Sequence, residues 1–385
     1  MSNPSAAGQV TRPTLIPGLR RLWRGRHHLQ LGVDPARAVI VELPDPGAAE
    51  VLDLLDGTRS VRTVLVQARR YGVREADAQA LIDELCRAGL VVSSQALMPT
   101  GIAEPRRGRL LPEAAALALR PVGPDQPAQV LRRRDAAKIM ISGSGPLVAP
   151  MAVALAASGV GHLALDLTDP AEERRLAALV AEQAPGTRTT PLRLSEVSFV
   201  VHVGERAPAV LVAQRLAARG LAYLAVSVRD GTAVVGPLVP PAGSPCLNCV
   251  DLHRTDRDPE WPALAAQLAT DPRPPVCAAV TAVIAGGVAA GEVLRWIDGV
   301  TPDTQGATLE ITTGSRPRRR SWPPHPECGC GRRPRWRGAA YRPGPACPRG
   351  APAAAATMAP VADATAPTDP NGRAGQWCGE RGDGC

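Results

Sequence analysis

Four cysteines stand in two tight pairs, Cys246 and Cys249 in Pro-Cys-Leu-Asn-Cys and Cys328 and Cys330 in Glu-Cys-Gly-Cys. Each short loop can aim two sulfurs at one ion, and four thiolates close a tetrahedral shell, which suits a structural zinc ion and leaves no open position for catalysis. Such a site contributes on the order of 10 kcal/mol to folding, here by fastening the carboxy end of a domain to the loop after its sheet. His253 and His325 lie close by as alternative ligands, with sulfur favoured, and unrelated free thiols are the plain alternative because Cys-x-Cys is tighter than Cys-x-x-Cys. A second constellation is Gly143-Ser144-Gly145, between an apolar run and an Ala-rich one. A glycine turn there brings backbone N–H groups and a helix N-terminus toward a phosphate. The third glycine of G-x-G-x-x-G is replaced by Val148, and Pro146 lies inside the loop.

The elements that must position these groups read as a nucleotide-binding α/β domain. Residues 138–169 give a buried strand, the glycine turn, an Ala-rich helix ending at Ser158-Gly159 and a second strand, a βαβ unit. A strand over 198–203, a helix near 209–219, a strand in LAYLAVSV and a final Ala-rich helix follow. With 45% hydrophobic residues but only 6 Trp, 3 Tyr and 1 Phe, the core must be Ala, Val and Leu. That suits helices packed on a parallel sheet and argues against an all-β sandwich.

Over residues 135–332 this order of elements, together with the cysteine pairs, resembles the ThiF superfamily, the adenylating fold related to ubiquitin-activating enzymes. The run CVDLHRTDRDPEWP is similar to the variant found in azoline-forming peptide cyclodehydratases. The resemblance implies a Rossmann-like domain with zinc on Cys246, Cys249, Cys328 and Cys330, dimeric through this domain, and a nucleotide held by Gly143, Ser144, Gly145 and an acid at a strand end, Asp166 or Asp169. It also implies Mg-ATP, an Asn/Arg segment with a lysine, and a magnesium-binding acid. Here DPAEERRLAALVAEQ has no Asn, and Lys138, the only lysine of the chain, precedes the first strand. Arg174 or Arg175 could substitute, although a guanidinium does not replace a lysine point charge simply. Glu205 is the only acid near the magnesium position. Cys277 precedes the apolar helix as a conceivable nucleophile, but packing is favoured because nothing supplies a base.

Upstream, residues 29–94 read as a small winged-helix-like module: strands over 28–33 and 38–43, a helix near 47–55, a second behind the N-cap Ser60, and a third carrying Ala78, Leu81, Ile82, Leu85 and Cys86 before Gly89. The ending LIDELCRAGLVV and the element order resemble PqqD-like leader-peptide recognition domains, which take up a peptide as an added strand. DNA reading is disfavoured, since acids and arginines mix on the helices. Residues 1–28 are expected as an extension, 95–134 as a linker with local helix, and 333–385 as a disordered Ala/Pro/Gly/Arg tail.

Net charge is +8, yet Arg316–Arg349 holds ten arginines against Glu327, so basicity is local and reads as a solvated strip; nucleic acid is an unlikely partner. The longest apolar run, 277–291, is too short to cross a bilayer, and nine cysteines without a secretory signal point to the cytoplasm. The leading expectation is a protein that binds a precursor peptide and presents it to a YcaO-type cyclodehydratase, its nucleotide site degenerate. The rivals are an active ATP-dependent adenylyltransferase activating a carboxylate, and a zinc-stabilised DNA-associated regulator.

Overall fold

Strand β1 (Pro13–Leu15) leads into a three-stranded antiparallel sheet of β2 (Arg21–Trp23), β3 (His28–Leu31) and β4 (Val39–Glu42). The computed structural model describes residues 10–332 except 36, 44, 121–124, 205–206, 242, 244, 272 and 315; Glu205, the 333–385 segment and its Cys347, Cys378 and Cys385 lie outside it. A 3-10 helix over Pro46–Leu54 packs Val51 and Leu52 beneath the small sheet, against Leu29, Leu31 and Val41. Helix α1 (Val61–Ala68) starts at Ser60, whose hydroxyl accepts from the Thr63 N–H at 3.1 Å. Helix α2 (Glu75–Arg87) buries Ala78, Leu81, Ile82 and Leu85, the face its three- and four-residue spacing marks, and Cys86 packs against the same core. Strand β5 (Val91–Ser93) returns to pair with β1. Residues 13–23, expected within an extension, thus supply two strands. Three-residue strands with a proline or three arginines nearby carry no alternation to read; their partners far along the chain define them.

The segment expected as a linker holds α3 (Ser94–Leu97), α4 (Arg106–Ala118) and α5 (Pro127–Ala136), with a core of its own made by Leu97, Met98, Leu110, Leu117 and Leu131. Arg134 of α5 is fully buried and donates to both carboxylate oxygens of Asp298, at 2.8 and 2.6 Å, to Glu113 at 2.6 Å and to the Ser158 carbonyl at 3.1 Å. Arg120 adds a bond to Asp298 at 2.9 Å. Every charge in this knot is paired, the condition under which burying it is tolerated.

The large sheet follows: β6 (Lys138–Gly143), α6 (Val148–Ala157), β7 (His162–Leu167), α7 (Pro170–Gln183), β8 (Phe199–Val203), α8 (Ala209–Ala218), β9 (Ala222–Arg229) and β10 (Thr232–Val239). Then come α9 (Leu247–Thr255), α10 (Trp261–Thr270), α11 (Ala279–Ile297), β11 (Ala307–Ile311) and β12 (Arg318–Ser321). Strand order is β12-β11-β10-β9-β8-β6-β7; β7, β6, β8 and β9 are parallel, and β10 to β12 continue antiparallel. The chain is therefore α/β with a mixed seven-stranded sheet. Part of the arginine strip is ordered as edge strand β12, where Arg320 pairs with Glu310 at 3.2 Å.

The apolar run expected to stop at Gly291 continues to Ile297, because Glu292 is buried and its carboxylate accepts from the Thr304 N–H and hydroxyl, each at 2.6 Å. At 19 residues and mean hydropathy 1.4, α11 is the one described helix long and apolar enough to cross a membrane, but half of it is buried in this core, with Ala285, Ala289 and Val293 among the residues of α6 and the sheet.

Candidate metal centre and nucleotide crevice

Cys246 stands immediately before α9 and Cys249 in its first turn, so the helix start fixes both sulfurs on one side. The Leu247 N–H anchors that turn by donating to the Tyr223 hydroxyl of β9 at 3.0 Å. Across from it, the Cys328 N–H donates to the His325 carbonyl at 3.0 Å, closing the loop that presents Cys328 and Cys330. The four sulfurs lie within 4.8 Å of one another, with Sγ separations of 3.9 Å (246 to 249), 3.6 Å (246 to 328) and 3.3 Å (249 to 330). Metal–sulfur bonds of about 2.3 Å in a tetrahedron require sulfurs about 3.8 Å apart, which these values bracket. The group can hold a metal ion.

Burial pushes the Cys246 thiol well up and that of Cys249 up to about 11. Cys328 goes the other way, to about 7: burial opposes ionisation there, but the Asn248 amide, 3.3 Å from its sulfur, and the Cys330 N–H donate to it and prevail. Without a cation the cluster resists becoming four thiolates; a dication reverses that preference, since a coordinating thiol is deprotonated. Asn248 and Tyr223 are supports that the cysteine spacing does not reveal, though Asn248 sits between the first pair.

The two histidines form a separate group. His325 Nδ1 accepts from the Glu327 N–H at 3.2 Å, so its proton is on Nε2, which donates to Asp256 at 3.0 Å. With Asp256 the two histidines form a second group whose ligand atoms lie within 4.8 Å of one another and could hold a metal ion. His253 turns Nε2 toward the Pro323 carbonyl at 3.0 Å and stacks edge-on against His325, ring centres 4.7 Å apart. Both brace the cysteine loop from outside.

At the other end of the sheet, the turn after β6 opens between β6 and β8, where the connections leave in opposite directions and α/β sheets form their binding crevice. Gly143 has φ +114°, and a Cβ there would lie 2.0 Å from the Val203 carbonyl oxygen; Gly145 has φ +149°, but its Cβ would meet only Val203 Cγ1 at 3.6 Å. The first glycine is required by the close approach of β8 itself, whether or not a phosphate binds.

The polar groups around this turn have protein partners. Ser142 donates to Asp166 at 2.9 Å, and Thr168 lies 3.4 Å from the Ser144 hydroxyl. Asp169 caps α7, accepting from the Ala171 N–H at 2.8 Å, with Arg175 3.8 Å away. Arg174 and Arg175 are exposed on α7. The sequence thus brings Gly143, Ser144, Gly145 and Asp166 together, whereas Asp169 is engaged in capping. Cys277 lies two residues ahead of α11, packed against the core, and burial pushes its thiol up, the reverse of an activated nucleophile. On the opposite sheet face, His202, Ser227, Asp251, Arg254 and Trp261 line a cavity of about 60 Å3 under α10. Burial holds His202 below its ordinary pKa, and the Trp261 indole donates to Asp251 at 2.6 Å. At roughly 10–15 Å3 per water, that space takes a few waters.

No protein-family model and no curated protein matches the chain. Among solved structures, it is similar to Escherichia coli MccB with ATP (14% identity, 83% of this chain and 99% of that one, TM-score 0.56) and to MccB in complex with N-formylated MccA (15%, 83% and 99%, 0.56). It is also similar to the heterocyclase TruD (15% identity, TM-score 0.52), covering 81% of this chain and 41% of that one. These likenesses show that the chain shares its fold with MccB and with part of TruD.

Proposed function

We propose that this protein acts in peptide modification, binding a precursor peptide and presenting it to a partner YcaO-type cyclodehydratase in the cytoplasm. The observation that carries this reading is the state of the crevice: the glycine turn is kept, but Asp166 and Asp169 are hydrogen-bonded within the protein and Arg174 and Arg175 are exposed on α7. A phosphoryl-transfer site needs cations converging on the phosphates and an acid for Mg2+. Likeness to MccB, solved with MccA, and to the heterocyclase TruD supports the peptide class of substrate. On this reading the module of β2 to β4, α1 and α2 is a PqqD-like winged helix that takes up the leader, and the chain dimerises through its large domain. Cys246, Cys249, Cys328 and Cys330 hold zinc, supported by an all-sulfur donor set at tetrahedral spacing; the ion braces the fold and takes no part in chemistry.

Calorimetry with Mg-ATP on protein carrying one zinc, with pyrophosphate exchange in the presence of peptide, tests this. No binding at millimolar ATP is expected. Tight binding with peptide-dependent exchange would establish the alternative, an adenylyltransferase built on Gly143, Ser144, Gly145, Asp166 and an arginine of α7.

A further inference from the structure

His253 and Asp256 stand three residues apart at the carboxy end of α9, which puts both side chains on one side of the helix, and His325 reaches them from the loop that leads to Cys328. The Pro323 carbonyl can only accept, so its 3.0 Å bond with His253 Nε2 fixes the proton of the neutral ring there and leaves Nδ1 as a lone pair. That lone pair lies 3.8 Å from Asp256 Oδ2, and His325 Nε2 lies 3.0 Å from the same oxygen. The ligand atoms of all three residues lie within 4.8 Å of one another. A four-coordinate ion with nitrogen and oxygen bonds of about 2.0–2.1 Å needs ligand atoms about 3.3 Å apart, which falls between the two separations to Asp256. A backbone carbonyl holding the far nitrogen is a common way of orienting a ligating imidazole, and the carboxy end of a helix favours a cation.

We infer that His253 Nδ1, Asp256 and His325 Nε2 bind a second divalent transition metal, zinc or an ion of like ligand preference, with one position left to water. The ion takes the place of the His325 Nε2 proton, which moves to Nδ1 of the same ring. The bond given up there is the 3.2 Å one from the Glu327 N–H, and Glu327 is exposed, so water replaces it. Two imidazoles and a carboxylate are the ligand set of an open site, whereas the four sulfurs beside them form a closed one. This site is the weaker of the two. Asp256 is 60% exposed, and the Arg257 guanidinium lies 5.3 Å from the ring centre of Trp322, which itself sits beside His253. Dialysis against metal-free buffer therefore empties it and leaves the thiol-bound ion in place. The inference stands apart from the peptide-binding reading.

Titration of the dialysed full chain with cobalt(II) tests it, with bound metal counted by mass spectrometry and the absorption spectrum recorded alongside. One cobalt per chain is expected to bind without thiolate-to-metal absorption and without displacing the ion on the cysteines. His253→Gln and Asp256→Asn should each weaken that binding at least about tenfold and leave the thiol-bound ion and the circular dichroism unchanged. Asp256→Asn keeps an acceptor for His325 on an exposed side chain, so it separates loss of the ligand from loss of the fold. Cobalt retained by both variants would overturn the inference by putting the ion elsewhere. No uptake at millimolar cobalt would overturn it outright. Uptake of a single cobalt with thiolate absorption would overturn it too, by assigning that ion to the cysteines.

Discussion

The thiol cluster and the glycine turn sit at opposite ends of the same sheet, one beside the start of β9 and the other at the end of β6. At the thiol end the supports serve one group: Tyr223 anchors the turn that carries Cys246 and Cys249, the Asn248 amide donates to Cys328, and burial raises the thiols of Cys246 and Cys249. At the turn, the polar groups have already answered one another, and Gly143 is there because Val203 comes too close for any side chain. On the proposed reading, the turn keeps the shape of a ligand site while its polar groups serve one another, whereas the four thiols converge on a single point.

The sharpest way to break this contrast is Cys249→Ser. Bound zinc, measured by mass spectrometry of native protein, should fall from one per chain to near none, with stability reduced by up to about 10 kcal/mol. Unchanged metal content would disprove the site. Arg134→Ala provides a yardstick from a buried brace that uses no metal. Leaving the buried Asp298 with Arg120 alone and the half-buried Glu113 unpaired should lower denaturant stability by about 3 kcal/mol. Gly143→Ala comes next, losing roughly 1–3 kcal/mol for backbone strain and more for the clash, with Gly145→Ala milder, both in nucleotide-free melts. If the two variants melt like wild type yet alter nucleotide affinity, the turn is functional and the contrast fails. Ser60→Ala, far from either end, should lower stability by about 1 kcal/mol through loss of the α1 cap.

Local signals were legible wherever chemistry is local. The Ser60 cap, the apolar face of α2, the βαβ unit with its glycine turn and the four cysteines all appear where residue type and spacing put them. Hidden were features that depend on distant partners. Pro13–Leu15 is a strand only because Val91–Ser93 pairs with it, and α4 carries Pro112, which weakens a helical reading until Leu110 and Leu117 meet Leu97 and Leu131. The commitments of Asp166 and Asp169 were equally unreadable, since an acid at a strand end looks the same whether it awaits a ribose or caps a helix.

The knot around Arg134 bears on where this chain can be spliced. Asp298 ends α11, yet it is held by Arg120 and Arg134, and Glu113 of α4 grips the same guanidinium. A chimera that swaps the amino-terminal module for another must therefore keep residues 106–136 with the large sheet. Joined after α5, it would inherit a buried Asp298 with neither guanidinium; joined before α4, it would carry the knot across whole.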